Sequence, residues 1–384
     1  MTDSRGLGPG PGRELRVAAL ISGPDVPSSR FRVRQFVAPL RSFGVAVSVH
    51  ASPIWKYAPP PKGIPGKLWT AGKLAGRIGG FWRAAGADVV WLERELLGGR
   101  STLERFLPGA KTVLDLDDAL WLTGKPGFSE RIAGRSAGVI AGNGFLAEHY
   151  RPFARRLWVV PTSIDTQRWA PASGVQASAP SERFTVGWTG TGGNLAYLEA
   201  IEEPLAHFLS THPNSRLLVV SDRRPELRSL PPETWTFESW SPDAEVDQLR
   251  RMDVGLMPLP DDDWARGKCS AKMLLSMAVA RPVVVSPVGT NAEILREAPV
   301  GLAAASGNDW SGALDRLHRD APFRAACGSA GRALAVERYS VAATAPKLAA
   351  IFREIARAAE SSDRVQKAEG PVGGGESEDD HRLR

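Results

Sequence analysis

The chain has 384 residues, 43% of them hydrophobic and 23% charged, with 39 Gly and 30 Pro, the composition of a globular protein rather than a disordered or fibrous one. Its two cysteines, Cys269 and Cys327, cannot build a disulfide scaffold or a four-thiolate zinc site, so a reduced, cytoplasmic protein is expected. The formal charge of +6 favours acidic partners such as phosphates, anionic lipid or nucleic acid, and does not choose among them.

Residues 1–14 lack the apolar core of a signal peptide and read as a flexible start, and no stretch approaches the roughly 18 uninterrupted apolar residues of a transmembrane helix. From residue 15 short β-branched runs alternate with helical stretches: 15–21, 45–49, 87–92, 111–116, 138–141 and 157–160. That alternation predicts βαβ units around a parallel sheet, a first domain spanning 15–169. Residues 170–182 are rich in Pro, Ala and Ser without periodicity and read as a linker. A second series follows at 184–189, 216–220, 254–258, 282–286 and 300–304, giving a second domain over 183–340. Leu195, Leu198, Ile201, Leu205 and Phe208 recur at helical spacing, the pattern of a helix covering that sheet. A last helix is expected over 341–360, returning to the first domain, with 361–384 too polar and Gly-rich to bury anything. The expected fold is therefore α/β: two Rossmann-like, doubly wound domains facing across a cleft, where open α/β sheets bind ligands.

The densest chemistry lies at 253–293. Arg266-Gly267-Lys268 precedes a helix predicted from about Ser270 to Ala280, with Ser270 as N-cap and Lys272 in the first turn. A helix N-terminus among three cations suits a diphosphate; a solvated basic loop is the bland reading for any one of them. Gly190-Thr191-Gly192-Gly193 breaks the strand before the Leu195 helix, and its amides could approach the same anion from the other side. It matches neither a P-loop nor a dinucleotide fingerprint. In the first domain Ser28, Arg30 and Arg32 follow the first strand and should reach the cleft as acceptor or phosphate contacts. Asp117 and Asp118 follow the fourth; they could bind sugar hydroxyls, hold Mg²⁺, or cap the next helix. Trp121 is a sugar platform or a core residue. Between 55 and 83 lie six cations, five aromatics and no acid, a composition that can rest on anionic lipid or form an ordinary solvated face. The six histidines show no metal-ligand spacing, and no tightly bound cofactor or metal is expected. Nucleic-acid binding is disfavoured, since no reader motif accompanies the basic charge.

Taken together, Ser28-Ser29-Arg30-Phe31-Arg32, Asp115-Leu116-Asp117-Asp118, Ile140-Ala141-Gly142-Asn143, Val160-Pro161-Thr162-Ser163-Ile164-Asp165, Gly187-Trp188-Thr189-Gly190, Trp240-Ser241 and Gly267-Lys268-Cys269 with Lys272 and Met277-Ala278 resemble the GT-B-fold glycosyltransferases of family 4. The resemblance implies transfer of a sugar from a nucleotide-diphosphate donor to a hydroxyl of a polysaccharide, glycolipid or secondary metabolite, with retention at the anomeric carbon. It implies a donor site of Lys268, Gly190, Thr191, Gly192, Gly193, Trp240, Gly289, Thr290, Asn291 and Glu293, and catalytic roles for Lys272, Arg266 and Asp117. Family members commonly carry two glutamates here; aligned on Met277-Ala278, those positions are Lys268 and Ser276, so this is a divergent branch in which Ser276 or Glu293 would meet the ribose. A nucleotide-sugar-binding protein without turnover is the competing expectation. A peripheral place on the inner membrane face is a further expectation.

Overall fold

In the computed structural model, residues 13–54, 58–172 and 183–368 are described, side-chain positions excepted for 362–368. Two six-stranded parallel sheets form the core. The first has the order β2-β1-β3-β4-β5-β6, with β1 Leu15–Ile21, β2 Val45–Ala51, β3 Val89–Glu93, β4 Thr112–Leu116, β5 Gly138–Ala141 and β6 Leu157–Val159. The second runs β12-β11-β10-β7-β8-β9, with β7 Phe184–Thr189, β8 Ser215–Ser221, β9 Trp235–Ser239, β10 Val254–Met257, β11 Val283–Val285 and β12 Gly301–Ala303. The central strands of each sheet are buried on both faces, which is why they read as continuous runs of Val, Ile and Leu; β3 and β4 contain no exposed residue.

Three elements differ from the expected pattern. The strand β9 pairs with β8 at the sheet edge, and its alternating Trp-Thr-Phe-Glu-Ser pattern is too short and polar to stand out beside the buried runs. The apolar series from Leu195 divides into helices Leu195–Glu199 and Glu202–Thr211, because the chain leaves helical geometry at Ile201. The last helix continues to Ala368, past position 360; once its first turns are anchored, each further residue adds a bond at little cost. The segments 1–12, 55–57, 173–182 and 369–384 lie outside the described residues.

That last helix, Val341–Ala368, packs on the first sheet: Val341, Ala345, Leu348, Phe352 and Ile355 join Val17, Val33, Leu40 and Trp91 in one core. Phe352 sits 5.0 Å from Trp91 between ring centroids. Arg332, on helix Ala321–Arg338, donates to the carbonyls of Thr166, Trp169 and Ala278, joining both lobes behind the cleft.

In each sheet the strand order reverses beside the first strand of that lobe: between β1 and β3, and between β7 and β10. Crevices outside the carboxyl ends at such points are where open α/β sheets take ligands. The first switch point delivers residues 22–30 and Glu93–Arg94; the second delivers Gly190 and the segment leading to helix Ala271–Ala278.

Candidate functional site

The second switch point is organised around Lys272, in the first turn of helix Ala271–Ala278. Its Nζ lies 4.9 Å from the centre of the Trp188 ring. A Cβ on Gly190 would stand 2.5 Å from Lys272 Cε and 2.8 Å from the Trp188 ring, so only glycine leaves the ammonium its place. Lys268 completes the pair: its Nζ is 3.4 Å from Asn194 Oδ1 and lies over the rings of Trp264 and Tyr197 at 5.1 and 5.7 Å. Neither lysine has a carboxylate within ion-pair distance among the described residues. Burial, and then the neighbouring Lys268, lower the Lys272 pKa to about 7, while Asp118 opposes the shift. A cation held in this way is poised to gain an anion.

The helix start also departs from its expected form. Ser270 occupies the N-cap position with φ 55° and makes no capping bond; its Oγ donates instead to Asn291 Oδ1 at 2.6 Å. Among the described residues no side chain therefore takes the first N–H groups of the helix, which carry its partial positive charge.

Facing these groups across the cleft is the carboxyl edge of the first sheet. Arg94 follows β3 in left-handed backbone, φ 57°, and its guanidinium holds Asp117 at 2.6 Å and also pairs with Asp118. Burial pushes the Asp118 carboxyl up from its usual range, and Arg94 pulls the other way. The lobes touch here. A Cβ on Gly267 would meet Ala119 at 2.7 Å, the Cys269 thiol donates to Asp117 O at 3.3 Å, and burial pushes that thiol's pKa up. Asn143 caps helix Gly144–Tyr150 through Oδ1 and donates from Nδ2 to Arg266 O, Lys268 O and Thr290 Oγ1 at 3.1–3.2 Å. Gly289, at φ 51°, lies so close to the Arg266 backbone that a Cβ would come within 2.9 Å.

Several residues expected in the site face elsewhere. Arg266, 45% exposed, turns to Asp261 and Asp263 at 2.9 and 3.5 Å. Ser276 is buried and back-bonded to Lys272 O at 3.3 Å; a Cβ on Gly255 of β10 would strike its Oγ, so helical phase turns it to the sheet and away from a ribose. Asn291 is fully buried, bridging Ser270 and Ser286, and Thr290 is buried against Asn143. Of the glycine-turn amides, Gly190 N–H extends the sheet to Val220 O and Gly192 N–H donates to Asp222, so these two are not free for a phosphate. Thr191 and Gly193 are exposed, and Thr191 Oγ1 accepts from Asn194. Glu293 is exposed in the first turn of helix Thr290–Glu297.

In the first lobe, Arg32 is buried beneath the sheet edge, held by Asp115 at 2.7 Å and Val160 O at 2.8 Å; it cannot reach the cleft. Ser28 is buried with its Oγ unpaired. Arg30 spans the lobes, pairing with Glu245 and lying 4.9 Å from the Trp240 ring, while Trp240 Nε1 donates to the same carboxylate at 3.1 Å. Trp121 stacks on His149 at 3.7 Å between ring centroids, so one face is covered. Among the described residues no group of three His, Cys, Asp or Glu is placed to hold a metal ion. The first Asp of the Asp115-Leu116-Asp117 pattern is sequestered by Arg32 and by Trp91 Nε1.

The sequence analysis passed over Arg94, and it quoted Asn143 in a motif without giving it a role. The signals were present as Glu93-Arg94-Glu95 and Gly142-Asn143, each directly after a buried strand.

No family model matches the chain, and no curated protein matches it. Solved structures do. Sucrose-phosphate synthase from Thermosynechococcus elongatus superposes with a TM-score of 0.65 at 14% identity, covering 89% of this chain and 99% of that one. This chain has the GT-B fold. WaaG, a glycosyltransferase involved in lipopolysaccharide biosynthesis, shares it at TM-score 0.63 and 14% identity, over 88% of this chain and 99% of its own. Anabaena HepE in complex with UDP and glucose shares it at TM-score 0.60 and 16% identity, over 88% and 100%. In GT-B terms, Lys272 and Lys268 lie on the C-terminal lobe and the Arg94–Asp117–Asp118 cluster on the N-terminal lobe.

Proposed function

We propose that the protein is a retaining glycosyltransferase of the family 4 kind, moving a sugar from a nucleotide-diphosphate donor to an acceptor hydroxyl of a polysaccharide, glycolipid or secondary metabolite. The observation that carries this reading is the pair Lys272 and Lys268, two cations with no carboxylate within ion-pair distance among the described residues, at the switch point of the C-terminal lobe. As the sugar–phosphate bond breaks, negative charge gathers on the β-phosphate, and cations already in place stabilise that state more than the intact donor. Lys272 is the catalytic residue in this account and Lys268 supports it; the uncapped N-terminus of the Ala271 helix adds its dipole. Glu293 is assigned the ribose, and Trp240 the nucleoside end. The acceptor hydroxyl attacks from the side the leaving group departs, passing its proton to the phosphate, with Asp117 and Asp118 orienting it while Arg94 fixes their direction. No tightly bound cofactor takes part, and the setting proposed is the cytoplasm at the inner membrane face.

HepE was solved with UDP and with UDP-glucose, so uridine diphosphate sugars come first in the test. Purified protein is incubated with nucleotide sugars and an acceptor panel, and nucleotide diphosphate release and the product's anomeric configuration are followed by NMR. The reading predicts acceptor-dependent release with the donor's configuration kept. Tight nucleotide binding with no release by any acceptor would instead support the non-catalytic binder, and an inverted product would rule out retention.

A further inference from the structure

Between Asp25 and Asp88 the sequence contains no acidic residue and ten Lys or Arg. Most of this span forms the connection from β2 to β3, which carries helices Gly66–Ala75 and Ile78–Ala85. Among the described residues of this connection the cations fall into two groups. Lys73 and Arg77 turn inward, donating to Ala58 O at 2.7 Å and Ile21 O at 3.0 Å. Lys62, Lys67 and Arg83 remain exposed.

Large apolar side chains are exposed on the same connection: Leu68 is 64% exposed and Trp82 70%, with Ile64 at 39% and Ile78 at 48%. Ile78 and Trp82 stand one helical turn apart, so they share a face. Four large apolar groups interleaved with three exposed cations and no acid are wrong for a water-facing crossover helix, whose outer face should be charged and mixed. They suit an interface that is apolar beneath and anionic above.

The position of the connection matters as much. Arg77 donates to the last carbonyl of β1, and a Cβ on Gly80 would touch His50 near the end of β2, so the junction of the two helices lies at the carboxyl edge of the first sheet. That edge also carries Arg94, Asp117 and Asp118. Among the described residues no helix is long and apolar enough to cross a membrane, so contact here would be peripheral.

We infer that the surface formed by Ile64, Leu68, Ile78 and Trp82 with Lys62, Lys67 and Arg83 docks on an anionic lipid bilayer. Trp82 and Leu68 enter the boundary between headgroups and acyl chains, and the three cations meet lipid phosphates. Docking holds the cleft edge of the N-terminal lobe at headgroup depth, where the hydroxyl of a lipid-linked acceptor would be found; that last step rests on the transferase reading, and the docking does not.

The test is flotation of the full-length protein with phosphatidylcholine vesicles and with phosphatidylcholine–phosphatidylglycerol vesicles. Two variants accompany it: Leu68→Ser/Trp82→Ser, and Lys62→Glu/Lys67→Glu/Arg83→Glu. Wild type is expected to float with the anionic vesicles and not with the neutral ones, and to be released by salt. Reversing three charges should lower partitioning by two orders of magnitude or more, at about tenfold or less per cation near the surface. The apolar variant should lose binding as well. All altered side chains are exposed, and unchanged thermal unfolding and an unchanged response to UDP would show the fold and donor lobe intact. Wild type that ignores anionic vesicles, binding indifferent to both variants, or a self-associating protein with no vesicle affinity would each overturn the inference. Vesicle binding by a protein that does not respond to UDP would sustain docking and count against the transferase.

Discussion

The two edges of the cleft handle charge in opposite ways. On the N-terminal lobe the charges neutralise one another: Arg32 with Asp115, and Arg94 with Asp117 and Asp118. On the C-terminal lobe Lys272 and Lys268 rest against aromatic rings and an amide oxygen instead. The first arrangement fixes geometry, since a buried pair holds its partners in place even where it adds little net stability. The second leaves a cationic potential that Asp118 offsets in part from beyond ion-pair distance and that an anionic ligand can relieve further. The transferase proposed above would use both, one lobe to orient a neutral hydroxyl and one to hold an anion.

The contrast can be broken from the paired side. Arg94→Ala leaves two carboxylates close together and short of their cation, and should cost about 3–5 kcal/mol of stability, read by chemical denaturation. Retained wild-type stability would mean the cluster is not the structural anchor described here. From the unpaired side, Lys272→Ala should lower turnover roughly 10²–10³-fold, the effect of removing one preorganised group from a developing charge, with stability unchanged or raised. Gly190→Ala keeps the lysine but places a methyl on its Cε, and should weaken donor binding by about tenfold or more through displacement of the ammonium. A Gly190→Ala variant that binds normally would show that Lys272 does not have to stand where it does.

The pH dependence sharpens the same comparison. Lys272 has a folded pKa near 7, below the value of 10.5 for an ordinary lysine. Between those values the unfolded chain binds the extra proton, so this group makes the free protein more stable as pH rises through that window. Donor binding runs the other way, because it needs the charged form: the thermal shift given by a nucleoside diphosphate should shrink as pH climbs above 7. The smallest effect belongs to Arg266→Ala. Its guanidinium is exposed and paired with Asp261 and Asp263, so donor affinity should change by about twofold or less.

Most of the fold was legible in the sequence because the central strands of both sheets, buried on both faces, must be runs of β-branched and aliphatic residues. The strand β9 was not, being an edge strand with mixed polarity. The candidate site was legible where a residue's place follows from its motif, as for Lys272 in the first turn of its helix. It was illegible where the role depends on which way a side chain turns. Ser276 lies four residues from Lys272, yet Gly255 draws it into the sheet. Arg32 and Arg30 are two residues apart, and one is sequestered under β4 while the other ties the lobes together. Arg94 escaped notice because its function requires a left-handed backbone and a partner strand, neither of which is written locally. The glycine turn was read for its amides, whereas the structure shows that the missing Cβ of Gly190 leaves room for the Lys272 side chain.

The central claim is that Lys272 and Lys268 form an anion site for a nucleotide diphosphate. Thermal-shift titration of UDP, GDP and ADP against wild type, Lys272→Ala and Lys268→Ala tests it most directly. A ligand at a hundred times its Kd should stabilise the wild type by roughly 2.7 kcal/mol. The account predicts that one diphosphate gives such a shift, that Lys272→Ala abolishes it and that Lys268→Ala weakens it. A shift of equal size in all three proteins would contradict it, as would no shift with any diphosphate.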